Sequence, residues 1–324
     1  MRSEIALLFL AALVGCSDKS PSGTDSGDTD TQDSDTDSGG DSDTSAEIPV
    51  WSQVRIETSN TLTGLFPTSD GNVAVVAEGG KAWLRNSGAW SSIAAETDNE
   101  DFNDVWGTGA AASLQLTAVG NVGIVDSYDA STGSWTMEDL GTANLLAVDG
   151  PGIANLFAVG WGGIYTNASG AWEYVDAATG RRLNDVYWDG TTGMAVGEDG
   201  DYAVYTEGTW VDNAIDARKT LYAVSASGPE NIWAVGAEGA MYKWDGSQWK
   251  AQEAPTDGSI WDVCVVSDTE VYIVGNNGAA YNFDGTTWTK LPTGVTNNLY
   301  GVDSVGDGTV WAIGNRGMVL EYNR

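Results

Sequence analysis

One dipeptide recurs along this chain at nearly constant spacing. Val119-Gly120, Val159-Gly160, Val196-Gly197, Val235-Gly236, Val274-Gly275 and Ile313-Gly314 follow one another at steps of 40, 37, 39, 39 and 39 residues. A period of this length restricts the fold severely. Each unit is one small supersecondary element that cannot bury its apolar face alone, so successive units must stack on each other.

The unit from Leu221 to Trp249 shows what the element is. Leu221-Tyr-Ala-Val224 and Ile232-Trp-Ala-Val235 are short runs of apolar, β-branched and aromatic residues, which suit strands. Between them, 225–231 carries the Gly, Pro and Asn of turn chemistry. Gly236 and Gly239 frame a tight turn before a third strand, Ala240 to Trp244. Asp245-Gly246 reads as a two-residue hairpin turn of type I′ leading into a fourth strand at Trp249. Four short antiparallel strands form one propeller blade.

Seven units align in this way. They run from Leu62 through Val76-Ala77 to Trp90, from Phe102 to Trp135, Leu145 to Trp172, Leu183 to Trp210, Leu221 to Trp249, Ile260 to Trp288, and from Leu299 without a closing Trp. The second carries an insertion near 110–114. An unclaimed closing strand, Trp51 to Ile56, precedes the first unit. The expected fold is all-β: a seven-bladed propeller of four-stranded antiparallel blades over 48–324. Strand 51–56 completes the last blade and closes the ring, leaving no long exposed sheet edge.

The N-terminus reads differently. Arg2 precedes a ten-residue apolar run, Ile5 to Val14, too short to span a bilayer and suited to a signal peptide. Leu13-Val14-Gly15-Cys16 resembles the lipobox of bacterial lipoproteins. That resemblance implies removal of 1–15 and lipid attachment, including palmitate, at Cys16. It implies a membrane anchor in the bacterial envelope, with Ser17 favouring the outer membrane. Residues 16–47 are low-complexity Ser, Asp, Thr and Gly, with ten acids against Lys19, and read as a disordered, extended tether. Asp33, Asp35 and Asp37 begin like a calcium loop, but Ser38 and Thr44 stand where Gly and Glu are required.

Composition removes several functions. With 14 Lys and Arg against 46 Asp and Glu, the net charge of −32 opposes binding to nucleic acid. The chain has no histidine, so triads and metal sites that use it are excluded. No cofactor is expected. Cys264, the other cysteine, aligns with Ser225 and reads as a small strand residue.

The motif Leu183-Asn-Asp-Val…Gly-Met-Ala-Val-Gly, echoed at Phe102 to Val105, resembles propellers of the YVTN/BNR-like group, above all the photosystem II assembly-factor type. A weaker resemblance, in 231–235 and 241–246, is to tectonin lectin repeats. Both imply a scaffold and leave the ligand open.

Binding residues are expected in the glycine-framed turns, on the face shared with the blade-to-blade loops. These are Trp161, Glu198, Asp199, Glu238, Asn276, Asn277, Asn315 and Arg316. Trp161 is expected to be exposed, to stack on a sugar or anchor a partner, or to fold over a neighbouring loop. The seven closing tryptophans are expected to pack between blades. Asp104, Asp185 and Asp262 share one repeat position near the channel, which repeat inheritance explains without a metal. The sequence favours a non-catalytic protein-binding scaffold. A tectonin-like lectin is the alternative. A sialidase-like glycosidase is remote, because its arginine clamp has few candidates here.

Overall fold

The computed structural model describes residues 51–93, 100–141, 143–175, 182–306 and 308–323. The signal segment 1–15, Cys16, the tether 16–47 and Arg181 lie outside them. The strands form seven sheets of four antiparallel strands each. Six blades are contiguous in sequence, over 62–92, 102–139, 145–175, 183–214, 221–251 and 260–290. The seventh joins three C-terminal strands, Leu299–Asp303, Thr309–Gly314 and Met318–Asn323, to the short strand Ser52–Gln53. Ser52 pairs with Glu321 and Gln53 with Leu320. Strand pairing as such stops at Gln53, but Val54 and Ile56 still donate backbone N–H bonds to Val319 and Gly317.

Burial explains the residue pattern within a blade. The second strand is sandwiched between neighbouring blades on both faces, so Ile232–Gly236 and Val73–Ala77 are buried throughout. Such strands read as continuous apolar runs rather than alternating ones. The outermost strands meet water, and Trp249–Ala251 is exposed apart from its half-buried Trp.

The closing tryptophans pack backwards onto the preceding blade. Trp210 meets Phe157 edge-on at 5.2 Å, Trp288 meets Trp233 at 5.9 Å, and Trp249 meets Tyr202 at 5.9 Å. Trp90 and Trp135 also donate indole N–H bonds across the junction, to the carbonyls of Val54 and Ile93. Truncating such an aromatic side chain typically costs about 3–5 kcal/mol.

The recurrent glycine has a steric cause. A Cβ on Gly160 would overlap the Asn144 carbonyl, and one on Gly236 would overlap that of Thr220. These carbonyls belong to the residue that enters the inner strand, so in these blades the chain enters over a bare Cα; blade 1 instead carries buried Ala77 opposite Leu62.

The turn at Asp245-Gly246 differs from the type I′ expectation. Trp244 pairs with Trp249, so the loop has four residues, 245–248, and only Gly246 has positive φ. Asp245 instead folds the loop with its carboxylate, accepting bonds from the Ser247 N–H, the Ser247 hydroxyl and the Gln248 N–H.

Candidate functional site

The seven inner strands share an irregularity. Pairing with the second strand shifts register just after the first residue: between Leu62 and Gly64, Phe102 and Asp104, Leu145 and Ala147, and likewise in the other four blades. The residue skipped by each bulge is re-aimed. These residues are Thr63, Asn103, Leu146, Asn184, Tyr222, Trp261 and Tyr300, and all seven line a cavity of about 410 Å³ at one mouth of the central channel.

The mouth has two unlike halves. In blades 1, 2 and 4 the re-aimed residue ties its blade to another inner strand. Thr63 Oγ1 donates to the Phe102 carbonyl at 2.7 Å, Asn103 Nδ2 to that of Leu145 at 2.7 Å, and Asn184 Nδ2 to that of Leu221 at 2.6 Å. In blades 5, 6 and 7 it is aromatic. Tyr222 and Trp261 stack with ring centroids 4.4 Å apart, 21° from parallel. Tyr300 meets Trp261 edge-on at 5.5 Å. The Trp261 indole N–H is fixed by Asn276 Oδ1 at 2.7 Å. The result is a half-buried aromatic arc with its orientation locked.

Below the mouth, a channel cavity of about 490 Å³ is lined by Asp104, Asp149, Asp185, Asp262 and Asp303, with no Lys or Arg in the lining. The carboxylates are distributed by a rule. Blades 2, 4 and 6 carry Asp two positions after the strand start; there Oδ2 accepts the N–H of Val148, Val224 or Val302 on the next blade, at 2.7–2.9 Å. Blade 3 carries its carboxylate two positions later, where Asp149 accepts the Trp188 N–H at 2.7 Å. In blade 5 Ser225 does the same for Val265 at 3.1 Å.

Blade 7 breaks the rule. Asp303 occupies the position of Asp149 and Ser225, but the residue corresponding to Trp188 and Val265 in blade 1 is Pro67, which has no N–H. Asp303 Oδ1 accepts from the adjacent Ser304 N–H at 2.7 Å and from Cys264 Sγ at 3.7 Å. Among the described residues no donor reaches its Oδ2.

Enclosure raises all five carboxyl pKa values. Burial lifts Asp104 to about 6 and Asp303 to about 6, the latter aided by the charge of Asp104. Asp149 rises to about 7 through burial, with Asp104 and Asp303 adding repulsion. Asp185 and Asp262 are pushed well up, again mainly by burial and then by neighbouring carboxylates. Cys264 is buried, and burial plus the charges of Asp303 and Asp262 hold its thiol well above the ordinary range. Among the described residues no three acids converge closely enough to hold a metal ion.

None of the eight turn residues expected from sequence lines the mouth cavity itself, though Glu198, Trp161 and Asn276 contact residues that do. Among the first residues of these turns, Asn276 holds Trp261, and Asn315 Oδ1 accepts from Asn297 Nδ2 at 3.4 Å. Glu198 lies 3.6 Å from the guanidinium of Arg182, itself part of the mouth lining. The second residue is left-handed and exposed: Asp199, Glu238, Asn277 and Arg316 have φ of 53°, 52°, 57° and 60°. Trp161 is 53% exposed, and Arg182 covers one of its faces at 5.4 Å.

Sequence reasoning missed the aromatic arc, as well as Asp149 and Asp303. The signal was the second residue of each unit, which turns aromatic in the last three.

No protein family and no curated protein matches the sequence. Solved structures do match it in shape. YCF48 from Cyanidioschyzon merolae is 18% identical with a TM-score of 0.67, over 85% of this chain and 98% of that one. YCF48 bound to D1 peptide is 17% identical with a TM-score of 0.70, over 86% and 96%. A catalytically inactive histidine-to-alanine variant of virginiamycin B lyase from Staphylococcus aureus, with quinupristin, is 10% identical with a TM-score of 0.73, over 85% and 99%. At these identities the shared property is the seven-bladed β-propeller fold.

Proposed function

We propose that this chain is a non-catalytic, lipid-anchored binding propeller of the bacterial envelope, and that its channel mouth holds a segment of a partner protein. The observation that carries this reading is the arc of Tyr222, Trp261 and Tyr300, orientationally fixed and facing a cavity of about 410 Å³. Fixed aromatic surface beside polar groups is typical of binding hot spots. One propeller of the same fold, YCF48, has a structure with a bound peptide.

Support for a non-catalytic role comes from the chemistry available. The chain has no histidine, whereas the inactive lyase variant differs from its parent at one. The nucleophile in the channel, Cys264, is held as a neutral thiol by burial and adjacent carboxylates. The anchor rests on the lipobox-like sequence ending at Cys16. Palmitate labelling should vanish in Cys16→Ser, and labelling that persists there would remove the anchor.

Glycan binding is the second reading, favoured by the exposed ring of Trp161. A displayed-peptide selection and a glycan array, both run on the full chain, separate the two. The protein-binding reading expects selected peptides whose affinity drops at least tenfold in Trp261→Ala. Saturable glycan binding lost in Trp161→Ala, without selected peptides, would replace it with a lectin.

A further inference from the structure

We infer that the mouth receives a cationic side chain of the partner, an arginine or lysine, which passes the aromatic arc and reaches the carboxylates of the channel. The inference rests on the reading of the mouth as a protein-binding site, and it names what that site recognises.

Three observations converge. The first is the aromatic arc. Tyr222, Trp261 and Tyr300 line both the mouth and the channel cavity, so a group entering the channel passes their rings. Ring faces attract a desolvated ammonium or guanidinium through their quadrupole.

The second is charge. Five aspartates and no Lys or Arg line the channel. Four of the five are each satisfied on one oxygen by an N–H of the next blade. Those bonds explain why carboxyl groups are present, but none of them brings an opposite charge. Arg182, the one Lys or Arg lining the mouth cavity, is already opposed by Glu198.

The third is Asp303. Pro67 supplies no N–H where the other blades supply one, so Oδ2 is left for a donor from outside the chain. The seam between blades 7 and 1 is thus the one place where the carboxylate pattern is present and the internal donor is not. Asp303 and Tyr300 lie three residues apart on one inner strand, and both line the channel cavity. A side chain entering beside Tyr300 therefore has Asp303 in its path.

The spacing of the acids decides between a metal ion and an organic cation. A metal needs several oxygens converging within about 2.0–2.6 Å of one point, and among the described residues no three acids do so. A guanidinium spreads five donors over a wider area, and a lysine reaches by its flexible stem. Both suit carboxylates dispersed around a ring.

The test uses the full chain and short probes: N-acetyl glycyl-arginyl-glycinamide, its lysyl counterpart, and the neutral citrulline counterpart, with affinities measured by calorimetry. Arginine or lysine should bind at least tenfold more tightly than citrulline. Asp303→Asn should remove most of that preference. This substitution keeps an acceptor for the Ser304 N–H and takes part in no inter-blade backbone bond, so folding should survive. Tyr300→Leu should weaken all cationic probes and supplies a second, independent variant.

Equal binding of arginine and citrulline, or an unchanged preference in Asp303→Asn, would overturn the inference. So would calcium ion alone binding with the same dependence on Asp303. Neutral selected peptides that bind in a Trp261-dependent way would overturn the inference while leaving the protein-binding reading intact. Glycan binding without peptide binding would overturn both.

Discussion

Arg85 in blade 1 forms an ion pair with Glu321 in blade 7, at 3.2 Å, with both side chains largely enclosed at 15% and 20% exposure. The guanidinium carbon also lies 5.1 Å from the ring of Trp311 in blade 7. The two ends of the repeat array are therefore joined by a charge pair and a cation–π contact. Removing one member of an enclosed pair leaves the other charge poorly solvated. Arg85→Ala should lower unfolding stability by about 2–4 kcal/mol, read as a reduced urea midpoint. A loss below about 0.5 kcal/mol would mean that the pair behaves as a solvated surface bridge.

The strand at 52–53 adds a second tie at the same blade. Trp51 and Ile56 are each 5% exposed, and Val54 and Ile56 bond to the Met318–Asn323 strand and the turn before it. Deleting 51–58 removes a buried Trp and a buried Ile, which together are worth at least about 4 kcal/mol. The thermal transition of this truncation should fall by ten degrees or more. An unchanged transition would show that the strand is dispensable to the ring.

The channel carboxylates make stability pH-dependent, with a sign opposite to that of ordinary surface acids. Asp104, Asp149 and Asp303 have folded-state pKa values of about 6, 7 and 6, above the ordinary value of 3.8. Between pH 4 and 7 the folded state binds more protons than the unfolded state, so their contribution is full below pH 4 and is lost as pH rises through 6–7. Melting temperature should fall from pH 5 to pH 8. Asp149→Asn, which retains an acceptor for the Trp188 N–H, should flatten that slope and raise stability at pH 8 by on the order of 1 kcal/mol or more. A melting temperature that rises over this range would contradict the assignment.

Val122 is a β-branched residue at φ 51°, in a turn where the other blades place Asp, Glu, Asn, Arg or Gly. It is 46% exposed, so burial does little to offset the strain. Val122→Asn should stabilise the chain by about 1 kcal/mol, measured by denaturant unfolding.

The scaffold was readable in the sequence because it is repeated. The V-G turn recurs in six blades and the apolar second strand and the closing Trp in seven, so their spacing exposed the blades. Asp104, Asp185 and Asp262 were visible for the same reason. The site was harder to see because it lies in deviations from the repeat. Tyr222, Trp261 and Tyr300 occupy a position filled elsewhere by Thr, Asn and Leu, and only the bulge explains why that position faces the mouth. Asp149 and Asp303 were hidden by a shift of two residues along their strands. The distinction of Asp303 depends on Pro67, which is remote in sequence and adjacent only once the ring is formed. The turn of Asp245-Gly246 was misread because the Asp side chain replaces backbone geometry that a sequence pattern assumes.

The location of the binding site is tested most directly by the indole N–H resonances of the 15 tryptophans during titration with a selected peptide. Trp261 should shift progressively and saturably, because its N–H is bonded to Asn276 within the mouth. The closing tryptophans Trp210, Trp249 and Trp288, packed between blades, should stay in place. Saturable binding that leaves Trp261 unmoved would contradict the account.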